Sequence, residues 1–273
     1  MKFIDVHTHL HDRRIIRDVP GIVDRARAAG VEAMVTCATM EENFPDTARL
    51  SREYPDVIPC FGVHPWFLDS LTPDWANHLA AQLEKQPAGV GETGLDFMVK
   101  GLDRDLQVRV FTTHLDLADA FVRPINIHIR KAWDAFVHIL KKRGPLRAGG
   151  LVHSFSGSAE LVRVLQGYNL HISFSGAVTR PNAKKTVRAL NAVDPDRILF
   201  ETDTPDIYPT LEDEPPRRGR LNEPANLPKI AAAAAGRRNM TLEALAGHAH
   251  ANARQLFETL TSDESLTHES IRK

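Results

Sequence analysis

The stretch Lys2-Phe3-Ile4-Asp5-Val6-His7-Thr8-His9-Leu10 predicts a buried strand that ends in two histidines. Side chains alternate between the two faces of a strand, so His7 and His9 point to the same face. Two imidazoles on one rigid face can both bind one metal ion. Two ordinary polar residues at the end of a strand explain the pattern equally well, so ligands from elsewhere in the chain must distinguish the two interpretations.

The rest of the chain alternates short apolar runs with longer helical patterns, which predicts an α/β fold. Eight strand–helix units are present if the long Ala-rich helix after Pro224 is the eighth. Strict alternation requires a parallel sheet, and eight units favour a single-domain (β/α)8 TIM barrel. An open doubly wound sheet is the main alternative, but no Gly-x-Gly-x-x-Gly turn follows the first strand. We expect the barrel to span residues 1–260 and residues 261–273 to form a polar C-terminal tail.

Composition limits the classes of function. The 34 basic and 35 acidic residues give a formal net charge of −1, which argues against a stable, high-affinity nucleic-acid complex and leaves room for a local basic rim. Cys37 and Cys60 lie in apolar runs and indicate buried thiols in a reducing compartment. No run approaches the ~18 apolar residues of a membrane span, and the N-terminus lacks the apolar region of a signal peptide. We therefore expect a cytoplasmic protein that does not associate with membranes.

Potential metal ligands stand at the ends of the predicted strands; the short fourth strand, Gly89–Glu92, for example, ends at Glu92. In a barrel these ends converge on the C-terminal mouth, where barrel active sites lie. The residues concerned are His7, His9, His64, Glu92, His128, His153 and Asp203.

The number of ligands favours two metal ions over one. Leaving His64 aside, four imidazoles and two carboxylates are too many for one tetrahedral site with an open position for water. Two ions that share a bridging carboxylate, Glu92 or Asp203, fit the set better. Nitrogen and oxygen donors together suit zinc, manganese, iron or nickel, and magnesium less well. We therefore predict a divalent metal cofactor, two ions of zinc, manganese or magnesium.

The chain resembles the TatD-like metal-dependent deoxyribonucleases, a family of amidohydrolase-like barrels. The resemblance extends from residue 1 to about residue 260 and rests on motifs in the family's order: Asp5-Val6-His7-Thr8-His9-Leu10, Gly62-Val63-His64-Pro65, Gly91-Glu92-Thr93-Gly94-Leu95-Asp96, Ile127-His128, Val152-His153-Ser154-Phe155-Ser156-Gly157, Glu201-Thr202-Asp203-Thr204-Pro205 and Asn222-Glu223-Pro224-Ala225-Asn226.

This resemblance implies a (β/α)8 barrel that hydrolyses DNA phosphodiesters with divalent metal. It implies that one ion is bound by His7, His9 and Asp203, the other by His128 and His153, and that Glu92 bridges both; some members of the family carry a single ion. Three residues depart from the family's pattern without removing a ligand, and they leave the substrate open: Thr93, His114 and Ile129. Of these, Ile129 could line the mouth together with Arg130.

Further roles at the mouth have alternatives. Asp203 is the candidate general base, with Glu92 as the second catalytic carboxylate; a pure ligand role is the alternative for Asp203. His64 is expected to bind a phosphate oxygen, unless it is only a turn histidine ordered by Pro65. Arg130 is expected to bind phosphate, or to form a salt bridge at the rim. Trp66, next to His64, could stack a base, although such aromatic residues more often cap a barrel.

Three hypotheses for function follow. The first is a divalent-metal-dependent hydrolase, a deoxyribonuclease that cleaves DNA, single-stranded or at its ends, with metal-activated water. The second keeps the barrel and the metal but hydrolyses a small-molecule amide, ester or lactone, since barrel loops change chemistry readily. The third is a non-catalytic metal-binding scaffold for a partner protein.

Overall fold

The computed structural model describes residues 1–210 and 219–260, so the predicted tail, residues 261–273, lies outside the described residues. Eight parallel strands form one sheet in which each strand pairs with the next along the chain. The strands are β1 (Phe3–Thr8), β2 (Val31–Cys37), β3 (Val57–Phe61), β4 (Gly89–Asp96), β5 (Ile125–Arg130), β6 (Gly150–Val152), β7 (Leu170–Phe174) and β8 (Ile198–Phe200).

The segment after β8 returns to β1 and closes the sheet. Thr8 and Thr204 form a parallel bridge, and the backbone N–H of His9 donates to the carbonyl oxygen of Thr204 at 2.7 Å. Next to this bridge, Asp5 accepts hydrogen bonds from the backbone N–H of Thr202 at 2.9 Å and from its hydroxyl at 2.6 Å. The predicted (β/α)8 barrel is therefore confirmed.

Helices surround the barrel, and some of them begin at a side-chain cap. The carboxylate of Asp103 accepts a hydrogen bond from the backbone N–H of Leu106 at 3.0 Å, one of the N–H groups that a helix start leaves without a partner. The helices are α1 (Val19–Ala28), α2 (Phe44–Glu53), α3 (Trp75–Lys85), α4 (Arg104–Phe121), α5 (Trp133–Arg143), α6 (Ala159–Gln166), α7 (Lys184–Ala192), α8 (Leu227–Arg238) and α9 (Leu242–Phe257). None of these helices, taken over the described ranges, is long and apolar enough to cross a membrane.

The single Ala-rich helix predicted after Pro224 is instead two helices, α8 and α9. Asn239 has a left-handed φ of 53° and ends α8, a conformation that asparagine tolerates better than most residues. The hydroxyl of Thr241 then accepts the N–H of Ala244 at 3.2 Å and starts α9. Helix α9 covers the N-terminal end of the barrel, where its Phe257 packs in one buried cluster with Ile4 and Ile58.

Strand β4 is longer than the predicted Gly89–Glu92, because it continues to Asp96. Glu92 therefore lies inside the strand, on the same face as Gly94 and Asp96. Gly94 has a φ of 149°, and a Cβ there would overlap the carbonyl oxygen of His128 in β5. The glycine thus permits the close approach of β4 and β5 at the level of Glu92.

Candidate metal centre

All six predicted metal ligands meet at the C-terminal mouth of the barrel. They come from five strands or the residues just after them; four of the six residues are buried, and His9 and His128 are partly buried. The six are His7 and His9 (β1), Glu92 (β4), His128 (β5), His153 (β6) and Asp203 (after β8).

One oxygen of Glu92 faces the ligands from β1. Glu92 Oε2 lies 3.3 Å from His9 Nε2 and 3.6 Å from His7 Nε2. Asp203 Oδ1 lies 3.5 Å from His7 Nε2 and 3.6 Å from His9 Nε2. Asp203 holds this place with a left-handed φ of 58°, an uncommon backbone conformation that tends to occur at functional sites.

The other oxygen of Glu92 faces the ligands from β5 and β6. Glu92 Oε1 lies 2.9 Å from His153 Nε2 and 3.1 Å from His128 Nδ1, and these two nitrogens are 3.1 Å apart. The carboxylate of Glu92 therefore stands between two groups of ligand atoms, with one oxygen directed at each group.

The spacing fits divalent cations. Ligands about 2.1 Å from a tetrahedral ion lie about 3.4 Å from one another, which is close to the separations within each group. Ligand atoms within 4.8 Å of one another form three overlapping sets: His7, His9 and Glu92; His7, His153 and Asp203; and His64, Glu92 and His128.

Each of the four ligand histidines has its second ring nitrogen beside an oxygen acceptor. Such a contact fixes the tautomer and leaves the lone pair of the first nitrogen for a metal. The contacts are His7 Nδ1 with Asn126 Oδ1 at 2.8 Å, His9 Nδ1 with the carbonyl of Cys37 at 2.8 Å, His128 Nε2 with Asp96 Oδ2 at 3.3 Å, and His153 Nδ1 with Glu201 Oε1 at 3.3 Å.

His64 has the opposite arrangement. Its Nδ1 accepts the backbone N–H of Trp66 at 3.2 Å, so the neutral ring carries its proton on Nε2. Burial lowers the pKa of His64 to about 3, which keeps the ring neutral. Nε2 lies 3.4 Å from Glu92 Oε1. His64 therefore presents a hydrogen-bond donor to the centre where the other histidines present lone pairs.

The charges of the centre favour bound cations. Burial raises the pKa of Glu92, but the surrounding histidines more than reverse this effect and hold the pKa well below its usual value. Burial lowers the pKa of His9, but its hydrogen bond to Asp203 and the charge of Glu92 raise that pKa to about 9. The two carboxylates thus stabilise positive charge among the imidazoles, as they would stabilise a metal ion.

The structure separates the two residues that follow His128. Arg130 is exposed at the mouth, on the same face of β5 as His128, and forms no ion pair within residues 1–210 and 219–260. Ile129 is only 5% exposed and packs in the core outside the barrel, so its predicted place at the mouth is wrong.

Three polar residues contact the candidate ligand histidines and orient them, a role that was not predicted from the sequence: Asp96, Asn126 and Glu201. Asn126 and Asp96 could have been found by the two-residue alternation that places them on the same strand faces as His128 and Glu92. The predicted end of β4 at Glu92 hid Asp96. Glu201 directly follows β8, and its Oε1 also accepts the backbone N–H of Ser154 at 2.8 Å.

Comparison with known proteins gives the family of the chain. The family model described as TatD related DNase matches residues 4–258. The chain belongs to this family. The metal-dependent hydrolase YabD of Bacillus subtilis, itself uncharacterized, is 33% identical over 256 residues, which cover 93% of this chain and 98% of YabD.

Relatives with a named activity and a solved structure extend the comparison. The 3′-5′ ssDNA/RNA exonuclease TatD of Erwinia billingiae is 31% identical over 261 residues, 93% of this chain and 98% of that protein. The crystal structure of the TatD homologue YJJV from Escherichia coli superposes with a TM-score of 0.88 at 28% identity, over 94% of this chain and 98% of that one. The predicted family and the predicted metal-dependent hydrolase of ester bonds are confirmed.

Proposed function

We propose that this protein is a metal-dependent nuclease that removes nucleotides from the 3′ end of single-stranded DNA or RNA. The observation that carries the proposal is the position of Glu92, whose two oxygens face two separate groups of ligand atoms. The names of the TatD relatives support the 3′-5′ direction and the single-stranded substrate. We place one ion among His7, His9 and Asp203, and a second between His128 and His153.

Metal at this centre would supply positive charge to the phosphate and lower the pKa of the attacking water. Burial raises the pKa of Asp203, but the hydrogen bond from His9 and the neighbouring histidines lower it to about 2. The carboxylate is therefore ionised at neutral pH and can orient the water, accept its proton and release it readily.

Two further residues would bind the substrate phosphate. The Nε2–H of His64 is only loosely engaged by Glu92 at 3.4 Å and can donate to a phosphate oxygen. Arg130 brings an exposed positive charge to the same mouth. One or two such contacts, on a chain of net charge −1, fit transient binding better than a stable nucleic-acid complex. A cytoplasmic location stays a prediction.

The test is cleavage of 5′-labelled single-stranded DNA, RNA and duplex DNA of one sequence, with magnesium, manganese or zinc added. We expect single strands to shorten stepwise from the 3′ end, with loss of activity on chelation. Glu92→Gln and Asp203→Asn should each lower kcat/KM about 100-fold or more.

Glu32→Gln is the matched control, because Glu32 pairs with Lys2 and His250 at the opposite end of the barrel. It should retain wild-type activity. No shortening of any nucleic acid with any of the metals would contradict the proposal, and turnover of a lactone or ester panel in its place would favour the small-molecule hydrolase.

A further inference from the structure

Exposed apolar side chains gather at one corner of the barrel mouth. Trp66 is 46% exposed, Met98 52% and Val99 38%, and they lie in the segments that follow β3 and β4. Large apolar side chains that remain exposed together commonly mark a site of ligand contact.

The buried carboxylate of Asp96 ties this corner to the metal centre. Asp96 Oδ2 accepts the indole N–H of Trp66 at 2.7 Å and lies 3.3 Å from His128 Nε2. Asp96 Oδ1 accepts the backbone N–H of Met98 at 2.8 Å. One carboxylate oxygen therefore orients both the indole and a ligand histidine.

Asp96 is itself held rigidly. The side chain of Gln107 in α4 accepts the backbone N–H of Asp96 at 2.8 Å and donates to its carbonyl oxygen at 3.1 Å. Both residues are buried. The position of the indole is thus set by a helix, a strand and three hydrogen bonds before any substrate arrives.

The indole has no stacked aromatic neighbour in the described part of the chain. Its ring centroid lies 5.0 Å from that of His64 and 6.4 Å from that of His128, with interplanar angles of 89° and 70°. The neighbouring imidazoles meet it at steep angles, and nearly half of its surface is open to solvent.

We propose that Trp66 stacks an unpaired nucleobase next to the scissile phosphate, and that this contact selects single strands. The inference rests on the proposed nuclease function and extends it to the residue that recognises the base. The indole lies next to His64, so a base stacked on it would lie close to the proposed phosphate donor. Stacking on an aromatic side chain tolerates any base, whereas a base in a duplex is already stacked and paired.

The test uses 5′-labelled single strands in which one nucleotide near the 3′ end is abasic, at the first, second or third position. For the wild type we expect one position where loss of the base lowers kcat/KM about tenfold or more. For Trp66→Ala we compare kcat/KM for the intact strand with kcat/KM for the strand that is abasic at that position. The ratio of the two should approach one. Trp66→Phe keeps a smaller ring and should keep part of the ratio.

The ratio separates stacking from damage to the metal centre, because both substrates use the same centre. Val164→Ala removes an apolar side chain that is 40% exposed on α6 and should leave the ratio at the wild-type value. An unchanged ratio in Trp66→Ala, or wild-type cleavage without any base preference, would overturn this inference alone. If the wild type cleaves none of the strands, the proposed function fails and this inference with it.

Discussion

Each of the four candidate ligand histidines directs one ring nitrogen at the centre and the other at a neighbouring oxygen. The partners in such a contact can lie far apart in the sequence. The acceptor of His7, Asn126, comes from β5, 119 residues along the chain. Asn126 is buried and also donates to the carbonyl oxygen of Val6 at 2.9 Å. The orientation of His7 therefore depends on a side chain that binds no metal itself.

Replacing Asn126 by leucine should weaken metal binding by about 10- to 100-fold, because His7 Nδ1 loses the acceptor that fixes its tautomer. Competition with a chelator measures the affinity. Asn252→Leu is the matched control, since Asn252 is also buried but bonds to the carbonyls of Pro195 and Ile198. Equal metal affinities of the two variants would contradict the role of Asn126.

Gly94→Ala should destabilise the protein by about 3 kcal/mol, since the added Cβ combines a clash with a positive φ. The clash is with the carbonyl oxygen of His128. Gly101→Ala is the control, because Gly101 has a φ of 88° but no neighbouring atom within 4 Å. For the control, chemical denaturation should show a loss of about 1 kcal/mol in the free energy of unfolding. Similar losses of unfolding free energy in both variants would mean that β4 and β5 can move apart without a loss of stability.

At the scale of elements, α4 fixes the end of β3 through His114. His114 Nε2 accepts the backbone N–H of Val63 at 3.0 Å, and Nδ1 donates to the carbonyl oxygen of Val110 at 2.8 Å. Both nitrogens are used only if the ring is neutral, and burial lowers the pKa of His114 to about 4. His64 follows Val63 directly, so this contact helps to position it.

His114 should make stability depend on pH. The unfolded chain binds the proton at the ordinary pKa of about 6.5 and the folded chain only near 4, so this contribution is complete above pH 6.5 and is lost as the pH falls towards 4. The loss is on the order of 3 kcal/mol. His114→Gln, which can still accept the N–H of Val63, should lose less free energy of unfolding between pH 7 and pH 4. Parallel pH curves for the two proteins would contradict this.

The elements also show why sequence reading succeeded in part. The meeting of the six candidate ligands at one end was predictable because each stands in or just after an apolar strand, and a barrel brings all strand ends together. The extension of β4 to Asp96 and the end of α8 at Asn239 were not predictable, because each depends on a local conformation that the apolar pattern does not encode. The contacts of Asn126 with His7 and of Glu201 with His153 could not be predicted, since each joins two strands that are not paired and depends on how side chains meet inside the closed barrel.

At the scale of the whole molecule, closure of the barrel completes the centre. Asp203 reaches the ligands of β1 only because the segment after β8 pairs with Thr8, and Asp5 bonds to Thr202 at this seam. Burial raises the pKa of Asp5 to about 8. The opposite end is covered by α9, so the candidate ligands and the exposed Arg130 lie at the end of the barrel that α9 leaves uncovered.

The most direct test of the account is the metal content of the chain after reconstitution with zinc or manganese, measured by mass spectrometry. We predict two ions per chain for the wild type, and a loss of one ion in His9→Ala and in His153→Ala, because these residues lie on opposite oxygens of Glu92. Glu92→Gln should lower the occupancy of both positions. Saturation of the wild type at one ion per chain would contradict the bridging role of Glu92.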